Sequence, residues 1–389
     1  MRYTIIAFLL LSVGSIAQTD SISYFDNHTN DIRTITYSPD AKFIVSAGWD
    51  ETIVIQRNDS ASEVAQVLMD YRGAVNSIAF SRDGTYMIAG GQDGELKKYA
   101  FYSDYFEVAY LDTTLSINNA AISKVLYGPG MRSVYSADKR GKFMAYDLAK
   151  DKATPINTSA GVTAAAISMD QMSIFLASEG SSVISQYDIF GKVKKTFTGH
   201  TNDITDLITT LDRSYLISSS KDKTIRIWNI ATGKEEIMFE DHTWAITDID
   251  MDPFGTYLVS GGLDGLVHLY DLKTRKLIRT QEFSGYKVNA VAISPDYTSI
   301  VAAAQKTGVS NPAGFFKIQT YIPARKIILP PPYTVQKKKE TKKPTKNSTT
   351  VTGSTPTKSP VKQTTPAAKT NSKVIQKTEQ VEIRIEDKQ

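Results

Sequence analysis

The chain has 389 residues, contains no cysteine and carries a formal net charge of +4. Without cysteine it forms no disulfides and lacks thiolate ligands for zinc, so burial and hydrogen bonding must hold the fold together. From residue 331 onward, 13 basic residues stand against 5 acidic ones, which leaves a net charge of −4 on residues 1–330. The composition therefore describes a mildly acidic body and a basic end.

Residues 1–17 have the pattern of a secretory signal peptide. Arg2 precedes an apolar run from Ile5 to Leu11, and small residues up to Ala17 precede a polar break. This pattern predicts cleavage after Ala17 and export to the periplasm, the cell envelope or the medium. An uncleaved membrane anchor is the alternative, although the run is shorter than the roughly 20 apolar residues that span a bilayer.

One turn motif recurs seven times along the chain. Its copies begin at Ser38, Ser81, Tyr127, Ser168, Thr210, Asp252 and Ser294, with steps of 43, 46, 41, 42, 42 and 42 residues. A period near 40 residues is typical of propeller blades and solenoids. The Asp residues of these turns are interpreted as turn formers, whose side chains accept hydrogen bonds from nearby backbone.

Each turn lies between short alternating segments, and no stretch of useful length has a helical pattern. We therefore predict an all-β fold over residues 18–329, a seven-bladed β-propeller of four-stranded antiparallel blades. Closing the ring requires a strand from one chain end. Ser21–Phe25 and Arg325–Leu329 are the two candidates, and we favour the first because it occupies the position of an outer strand.

The units resemble the WD-repeat family. The strongest match is Gly199-His200 followed by the segment from Leu216 to Asn229, which ends in Ile227-Trp228-Asn229. In that family a His, a Ser or Thr, an Asp and a Trp form a hydrogen-bonded chain across each blade. The resemblance implies such chains at His28, Ser46 and Asp50; at His200, Ser218, Asp222 and Trp228; and at His242, Ser260, Asp264 and Tyr270.

The other units depart from this motif. The second has Tyr71 and Ala89 but keeps Asp93, and the third has Arg140 at the Asp position with Asp138 two residues earlier. The fourth has Ala177 and Ser181, and the seventh has no recognisable tetrad and an insertion at 306–313. Units three, four and seven are thus assigned from their spacing and strand pattern alone.

The family typically binds partners through the face where the loops entering each first strand meet the second tight turn. The residues carried over to that face are Asn30, Trp49, Gln92, Asn202, Lys221, Trp244 and Leu263. Exposed tryptophans are common interface anchors; the alternative is that Trp49 and Trp244 each pack against their own blade.

No catalytic or metal site emerges from the sequence. Three of the four histidines hold tetrad positions, and the fourth, His268, lies within a strand as a packed or solvent-facing side chain. Neither a histidine base for a serine nucleophile nor a cluster of metal ligands is left over. We expect no cofactor and no enzymatic activity.

Residues 330–373 form a Lys/Thr/Pro-rich segment of the composition that predicts disorder, either a tether to an anionic envelope surface or a solubilising linker. Residues 374–389 end it, and there Val381, Ile383 and Ile385 alternate with charged residues in a short strand pattern suited to pairing with a sheet edge. Export argues against nucleic acid as the partner of the basic tail.

The favoured hypothesis is an extracytoplasmic scaffold, a monomeric propeller that binds a protein or peptide partner within a larger complex. A propeller hydrolase is one alternative, which converging carboxylates in the central channel would favour. The other is an envelope structural protein whose lysine tail binds an anionic polymer.

Overall fold

The structure is a computed structural model that describes residues 21–59, 63–104, 108–116, 118–157, 160–308 and 313–319. The chain divides into two compact units, residues 1–327 and 328–389, and the second lies outside the described residues. The predicted signal peptide, the competing strand Arg325–Leu329, the tail and the segment Val381–Ile385 also lie outside them.

The described residues form 28 β-strands and no helix. The first strand is β1 (Ser21–His28). Those of blades 1 to 3 are β2 (Ile32–Tyr37), β3 (Phe43–Gly48), β4 (Ile53–Arg57), β5 (Val64–Leu68); β6 (Val75–Phe80), β7 (Tyr86–Gly91), β8 (Leu96–Phe101), β9 (Ala109–Leu115); β10 (Ile122–Tyr127), β11 (Ser133–Asp138), β12 (Lys142–Asp147) and β13 (Lys152–Asn157).

The strands of blades 4 to 7 are β14 (Val162–Ile167), β15 (Ser173–Ser178), β16 (Ile184–Asp188), β17 (Val193–Phe197); β18 (Ile204–Thr209), β19 (Tyr215–Ser220), β20 (Ile225–Asn229), β21 (Glu235–Phe239); β22 (Ile246–Met251), β23 (Tyr257–Gly262), β24 (Leu266–Asp271), β25 (Lys276–Glu282); β26 (Tyr286–Ile293), β27 (Ser299–Lys306) and β28 (Ala313–Gln319). Because every blade has four antiparallel strands, the predicted fold class is confirmed.

The N-terminal strand β1 closes the ring. It pairs antiparallel with β28, with Ser21 opposite Gln319 and Phe25 opposite Phe315, so the seventh sheet has the order β1-β28-β27-β26. This confirms the favoured candidate, Ser21–Phe25. The first strands of neighbouring blades contact one another around the whole ring, from β2 through β26 and back to β2.

The core consists of seven apolar clusters, each between two neighbouring blades. Between blades 4 and 5, for example, Phe175 and Phe197 pack against Leu216 and Trp228. Since side chains alternate between the two faces of a strand, each sheet buries one face against each neighbour. A blade therefore needs both neighbours to remain folded.

Hydrogen bonds between first strands add to this apolar packing. Asn76 Nδ2 donates to the Ile122 carbonyl at 2.7 Å, and Thr247 Oγ1 donates to the Val288 carbonyl at 2.8 Å. Both donors are the second residue of a first strand; the acceptor Ile122 is the first residue of β10, and the acceptor Val288 is the third residue of β26. The bond thus fixes the register between neighbouring blades.

The turn acids behave as predicted. Ser38 Oγ donates to Asp40 at 2.6 Å, and equivalent bonds join Ser81 to Asp83 and Ser294 to Asp296. These carboxylates also accept backbone N–H groups, as Asp83 does from Thr85. They hold the turns between the first two strands and are spread around the ring. Among the described residues, no helix is long and apolar enough to cross a membrane.

Candidate partner-binding face

One face of the ring, which we call the entry face, combines the loops that enter the first strands with the tight turns between second and third strands. In each blade the turn donates a backbone N–H to a carbonyl of the entry loop at 2.7–3.0 Å. The donor–acceptor pairs are Trp49–Asp31, Gln92–Ala74, Lys139–Ala121, Glu179–Gly161, Lys221–Asp203, Leu263–Ala245 and Thr307–Gly285. These bonds hold the entry loop against the tight turn in every blade, and in blades 1, 5 and 6 they bring the two groups of predicted contact residues together.

The two tryptophans of the entry face are exposed. Trp49 is 42% exposed, with the Arg33 guanidinium 5.6 Å from its ring centroid, and Trp244 is 60% exposed. The backbone N–H of Trp244 donates to Asp264 at 3.3 Å, so its main chain is fixed while its ring is accessible. An apolar ring held on a fixed main chain has little conformational entropy to lose on binding.

The remaining predicted residues have more local roles. The side chains of Asn30 and Asn202 accept the backbone N–H of the next residue, Asp31 and Asp203, at 2.8 Å. Lys221 forms an exposed ion pair with Asp203 at 2.8 Å. Gln92 is exposed and Leu263 is half-buried. The predicted residues belong to blades 5, 6, 1 and 2, which follow one another around the ring except for blade 7 between Trp244 and Trp49.

The fifth blade contains a continuous hydrogen-bonded chain. Trp228 Nε1 donates to Ser218 Oγ at 2.8 Å, Ser218 Oγ lies 2.7 Å from His200 Nε2, and His200 Nδ1 lies 2.8 Å from Asp222 Oδ2. A neutral imidazole with its proton on Nδ1 satisfies all three bonds in one direction. Asp222 also accepts the Thr201 N–H at 3.0 Å. The chain joins the third strand, the second strand, the entry loop and the tight turn.

The first and sixth blades contain the same chain except at its last position. In blade 1, His28 contacts Ser46 and Asp50 at 2.8 Å each, and Gln56 at the Trp position accepts a bond from Asn27 instead.

In blade 6, His242 contacts Ser260 at 2.7 Å and Asp264 at 3.0 Å. Tyr270, at the tryptophan position, is fully buried and makes no well-aligned hydrogen bond among the described residues, although Ser260 and Asp241 lie near its hydroxyl.

The tetrad carboxyls are acidic. Burial raises the pKa of Asp222 and Asp264, but hydrogen bonds from His200 and His242 and from nearby backbone outweigh it, so both pKa values lie well below the usual range. Beside the sixth tetrad, burial and the nearby His242 lower the pKa of His268 to about 4. His268 is thus a packed, neutral side chain, bonded to Thr280 at 2.9 Å.

Two blades contain polar networks with residues that the WD-repeat motif does not include. In blade 3, Ser136 Oγ donates to Asn118, and Asn118 Nδ2 donates to Asp138 at 3.2 Å. The sequence contains a signal for this role of Asn118, because Asn118 precedes Ser136 by 18 residues, just as His200 precedes Ser218.

In blade 2, Tyr71 holds the histidine position and donates to the Ala89 carbonyl at 2.7 Å. The ammonium of Lys97, on the third strand, lies 4.1 Å from the Tyr71 ring centroid and 3.7 Å from Asp93, so a cation faces the motif carboxylate. Only the contacts reveal this, since no WD-repeat motif calls for lysine there.

Charged side chains gather on the first strands around the central channel. Lys124 of blade 3 reaches across to Asp206 of blade 5 at 2.6 Å. Asp248 accepts the Val291 N–H and Asp250 accepts the Ile293 N–H, each at 2.9 Å, which joins blade 6 to blade 7. Burial raises the pKa of Asp248 well above its usual value, with the nearby Asp206 adding to the rise, and burial raises that of Asp250 to about 7.

The lysine of this group keeps its proton. Burial lowers the pKa of Lys124, but the nearby carboxylates Asp206, Asp248 and Asp250 outweigh that effect and raise it overall. The sequence did not predict this cluster. Among the described residues no group of three or more His, Cys, Asp or Glu side chains is arranged to hold a metal ion.

Comparison with known proteins agrees with the geometry. The family model described as "WD domain, G-beta repeat" matches residues 19–55, 63–99, 191–229 and 233–271. Each match covers the outer strand of one blade and the first three strands of the next, and together they account for blades 1, 2, 5 and 6. The chain is therefore a WD-repeat protein with a seven-bladed propeller. The unmatched blades 3, 4 and 7 are the units assigned from spacing alone.

Individual proteins that resemble this chain do so at low sequence identity. The chain is 26% identical over 171 residues to "Periodic tryptophan protein 2 homolog" of Dictyostelium discoideum, covering 40% of this chain and 17% of that protein. It is 24% identical over 225 residues to "Target of rapamycin complex subunit wat1" of Schizosaccharomyces pombe, covering 54% and 67%. With "Actin-interacting protein 1-2" of Arabidopsis thaliana it shares 25% over 208 residues, covering 52% and 32%. The matches thus span a sixth, two thirds and a third of these proteins.

Proposed function

We propose that the protein is an extracytoplasmic interaction scaffold that binds a protein or peptide partner through the entry face, with its basic tail as a tether. The observation that carries the proposal is the pair of exposed tryptophans, Trp49 and Trp244, on main chain that hydrogen bonds hold in place. Two relatives support it by name, one as a complex subunit and one as an actin-interacting protein. WD-repeat propellers typically serve in protein complexes.

The partner is tested by substitution on the entry face. Full-length tagged protein, a Trp49→Ala/Trp244→Ala variant and an Ile278→Ala variant are purified from the native host, and co-purifying proteins are quantified. Ile278 is an exposed apolar residue of an outer strand, so it is the matched control. A partner of the entry face should fall by about tenfold or more in the double variant and stay unchanged in the control. Equal recovery from all three proteins would contradict the proposal.

Export and the tether need separate experiments. Mass spectrometry of the mature protein should find residue 18 as its N-terminus; an intact Met1 in the mature chain would reject export by cleavage. If the tail holds the protein on an anionic surface, retention in the envelope fraction should fall steeply with ionic strength and disappear on deletion of residues 331–389. Retention that is insensitive to salt and to the deletion would identify the tail as a linker.

A hydrolase is the second candidate, because the channel cluster of Lys124, Asp206, Asp248 and Asp250 brings acids and a cation together. Against it, each of these carboxylates already accepts a bond from Lys124 or from neighbouring backbone. Hydrolysis of p-nitrophenyl esters and of lactones by the full-length protein, compared with Asp206→Asn and with Trp244→Ala, separates the two functions. A hydrolase should lose at least about a hundredfold in rate in Asp206→Asn alone.

A further inference from the structure

The face opposite the entry face carries an apolar patch on blades 3 and 4. It consists of Met131, Met172, Ile189 and Phe190, which are 44%, 57%, 40% and 86% exposed. We call this set the blade 3–4 patch. Large apolar side chains exposed as single residues are ordinary, whereas several together mark an interaction surface.

Strand register places these residues side by side. In blade 4, Ser173 begins β15 and pairs with Asp188, which ends β16. Met172 directly precedes Ser173 and Ile189 directly follows Asp188, so both lie at the same end of the sheet. In blade 3, Met131 lies in the turn next to Gly130, whose α-carbon faces the Gln171 side chain of blade 4. The patch therefore runs across the boundary between the two blades.

A shallow cavity adjoins the patch. It has a volume of about 260 Å³, and Ile189 of blade 4 lines it together with Ala145, Tyr146 and Lys152 of blade 3. Asp147 and Lys150 also line the cavity as an ion pair, so Lys152 gives the wall a basic surplus beside the apolar side chain of Ile189. A cavity of this size accommodates one apolar side chain of a bound segment.

The charges around the patch leave a basic surplus. Three nearby carboxylates form ion pairs, namely Asp147 with Lys150 at 2.8 Å, Asp170 with Arg213 at 3.1 Å and Asp188 with Lys194 at 3.1 Å. A fourth, the exposed Asp151, accepts the Tyr146 hydroxyl. Three further cations border the patch and form no ion pair among the described residues. They are Arg132, next to Met131, Lys152 in the cavity wall, and Lys192, two residues after Phe190; all three are exposed.

We infer that the blade 3–4 patch is a second docking surface, which binds an acidic segment with exposed apolar side chains from a partner protein. The apolar residues of that segment would cover Phe190, Ile189 and the cavity, and its carboxylates would pair with Arg132, Lys152 and Lys192. A second copy of this chain fits worse, because a symmetric contact through this patch would bring its unpaired cations against one another. The scaffold would then hold two partners on opposite faces.

A short labelled peptide tests the inference on full-length protein. The probe alternates glutamate with phenylalanine and isoleucine, the reference probe has lysine in place of glutamate, and fluorescence anisotropy gives the dissociation constants. The glutamate peptide should bind at least about tenfold more tightly than the lysine peptide. Phe190→Asp and Lys152→Glu should each weaken it by about tenfold or more.

Two control variants keep the result specific. Trp244→Ala, on the entry face, and Ile278→Ala, on an outer strand, should bind the glutamate peptide within about twofold of the unmodified protein. Because Phe190 projects almost entirely into solvent, Phe190→Asp should retain the circular dichroism spectrum and the melting temperature. The inference is overturned if the glutamate peptide shows no saturable binding, if Phe190→Asp binds it unchanged, or if Phe190→Asp instead abolishes self-association of the protein.

Discussion

Blades 5 and 3 reach the same four-stranded sheet with different polar networks. In blade 5, Trp228 links the third strand through Ser218 and His200 to Asp222. In blade 3, Asn118 replaces the histidine, and the tyrosine at the tryptophan position, Tyr146, donates to Asp151 in the following turn instead. Tyr146 therefore does not extend the network of blade 3 into the third strand as Trp228 does in blade 5. A blade therefore forms without the full tetrad, because a shorter polar network together with burial against both neighbours is sufficient.

Removing the tetrad carboxylate of blade 5 should have the largest effect on stability. Asp222→Ala leaves the buried His200 Nδ1 without its carboxylate acceptor and removes the acceptor of the exposed Thr201 N–H, and we expect a loss of about 3 kcal/mol in the free energy of unfolding. Urea denaturation measures it. Lys221→Ala, one residue away and exposed, is the control and should cost less than about 0.5 kcal/mol. Similar losses in both variants would show that the network contributes little.

The corresponding change in blade 3 should have a smaller effect. Asn118→Ala removes one neutral acceptor of Ser136 and one donor to Asp138, for an expected loss of about 1–2 kcal/mol in urea denaturation. Asn118→Asp serves as the matched variant, because it keeps the acceptor but places a second carboxylate beside Asp138. An equal loss of unfolding free energy in Asn118→Ala and Asp222→Ala would show that the two networks contribute equally to stability, which would contradict this prediction.

The channel adds a contribution whose pH dependence is opposite in sign to that of the blade 5 tetrad, because the depressed pKa of Asp222 gives stability that is lost as pH falls. Burial raises the folded-state pKa of Asp250 to about 7, above its unfolded value, so its contribution to stability is complete below about pH 4 and is lost as pH rises towards 7. The full linkage value of about 4 kcal/mol is reduced by solvent screening because Asp250 is only partly buried, so Asp250→Asn should flatten the fall in unfolding free energy between these pH values by about 1–2 kcal/mol.

Thr247→Val is the control for that experiment. It removes a hydrogen bond between the same two blades without removing a carboxylate, so it should lower stability at every pH and leave the slope unchanged. An Asp250→Asn protein with the slope of the unmodified protein would contradict the prediction.

The smallest effect is expected when the family's acid is restored in blade 3. Arg140→Asp places a carboxylate at the motif position, but Asp138 already accepts the Arg140 and Lys142 N–H groups at 2.9 Å. Because no buried donor is left to pair with a new carboxylate, the free energy of unfolding should change by less than about 0.5 kcal/mol. A gain above about 1 kcal/mol, measured by urea denaturation, would show that blade 3 is an incomplete tetrad instead of a complete alternative.

Local patterns were sufficient for much of the fold. The turn at Ser38 and its six equivalents set the number of blades, and the position of Ser21–Phe25 before the first unit predicted which chain end closes the ring. The motif-poor units three, four and seven were identified in the sequence, and they are the blades that the family model does not match. Each of these features depends on residues close together in the chain.

The remaining features depend on contacts between distant residues. Lys124 and Asp206 are 82 positions apart and meet only because first strands from different blades surround one channel. The blade 3–4 patch likewise exists only because two blades present their turns on one side.

The sequence by itself determined the repeat, the strands and the loops that form the entry face, because alternation and turn chemistry act within a few residues. Only the tertiary structure decided which charges are buried in the channel, that Lys97 faces the tetrad carboxylate of blade 2, and which apolar side chains remain exposed. The physical reason is that burial and electrostatic pairing are properties of neighbours in space, and closing the ring sets those neighbours.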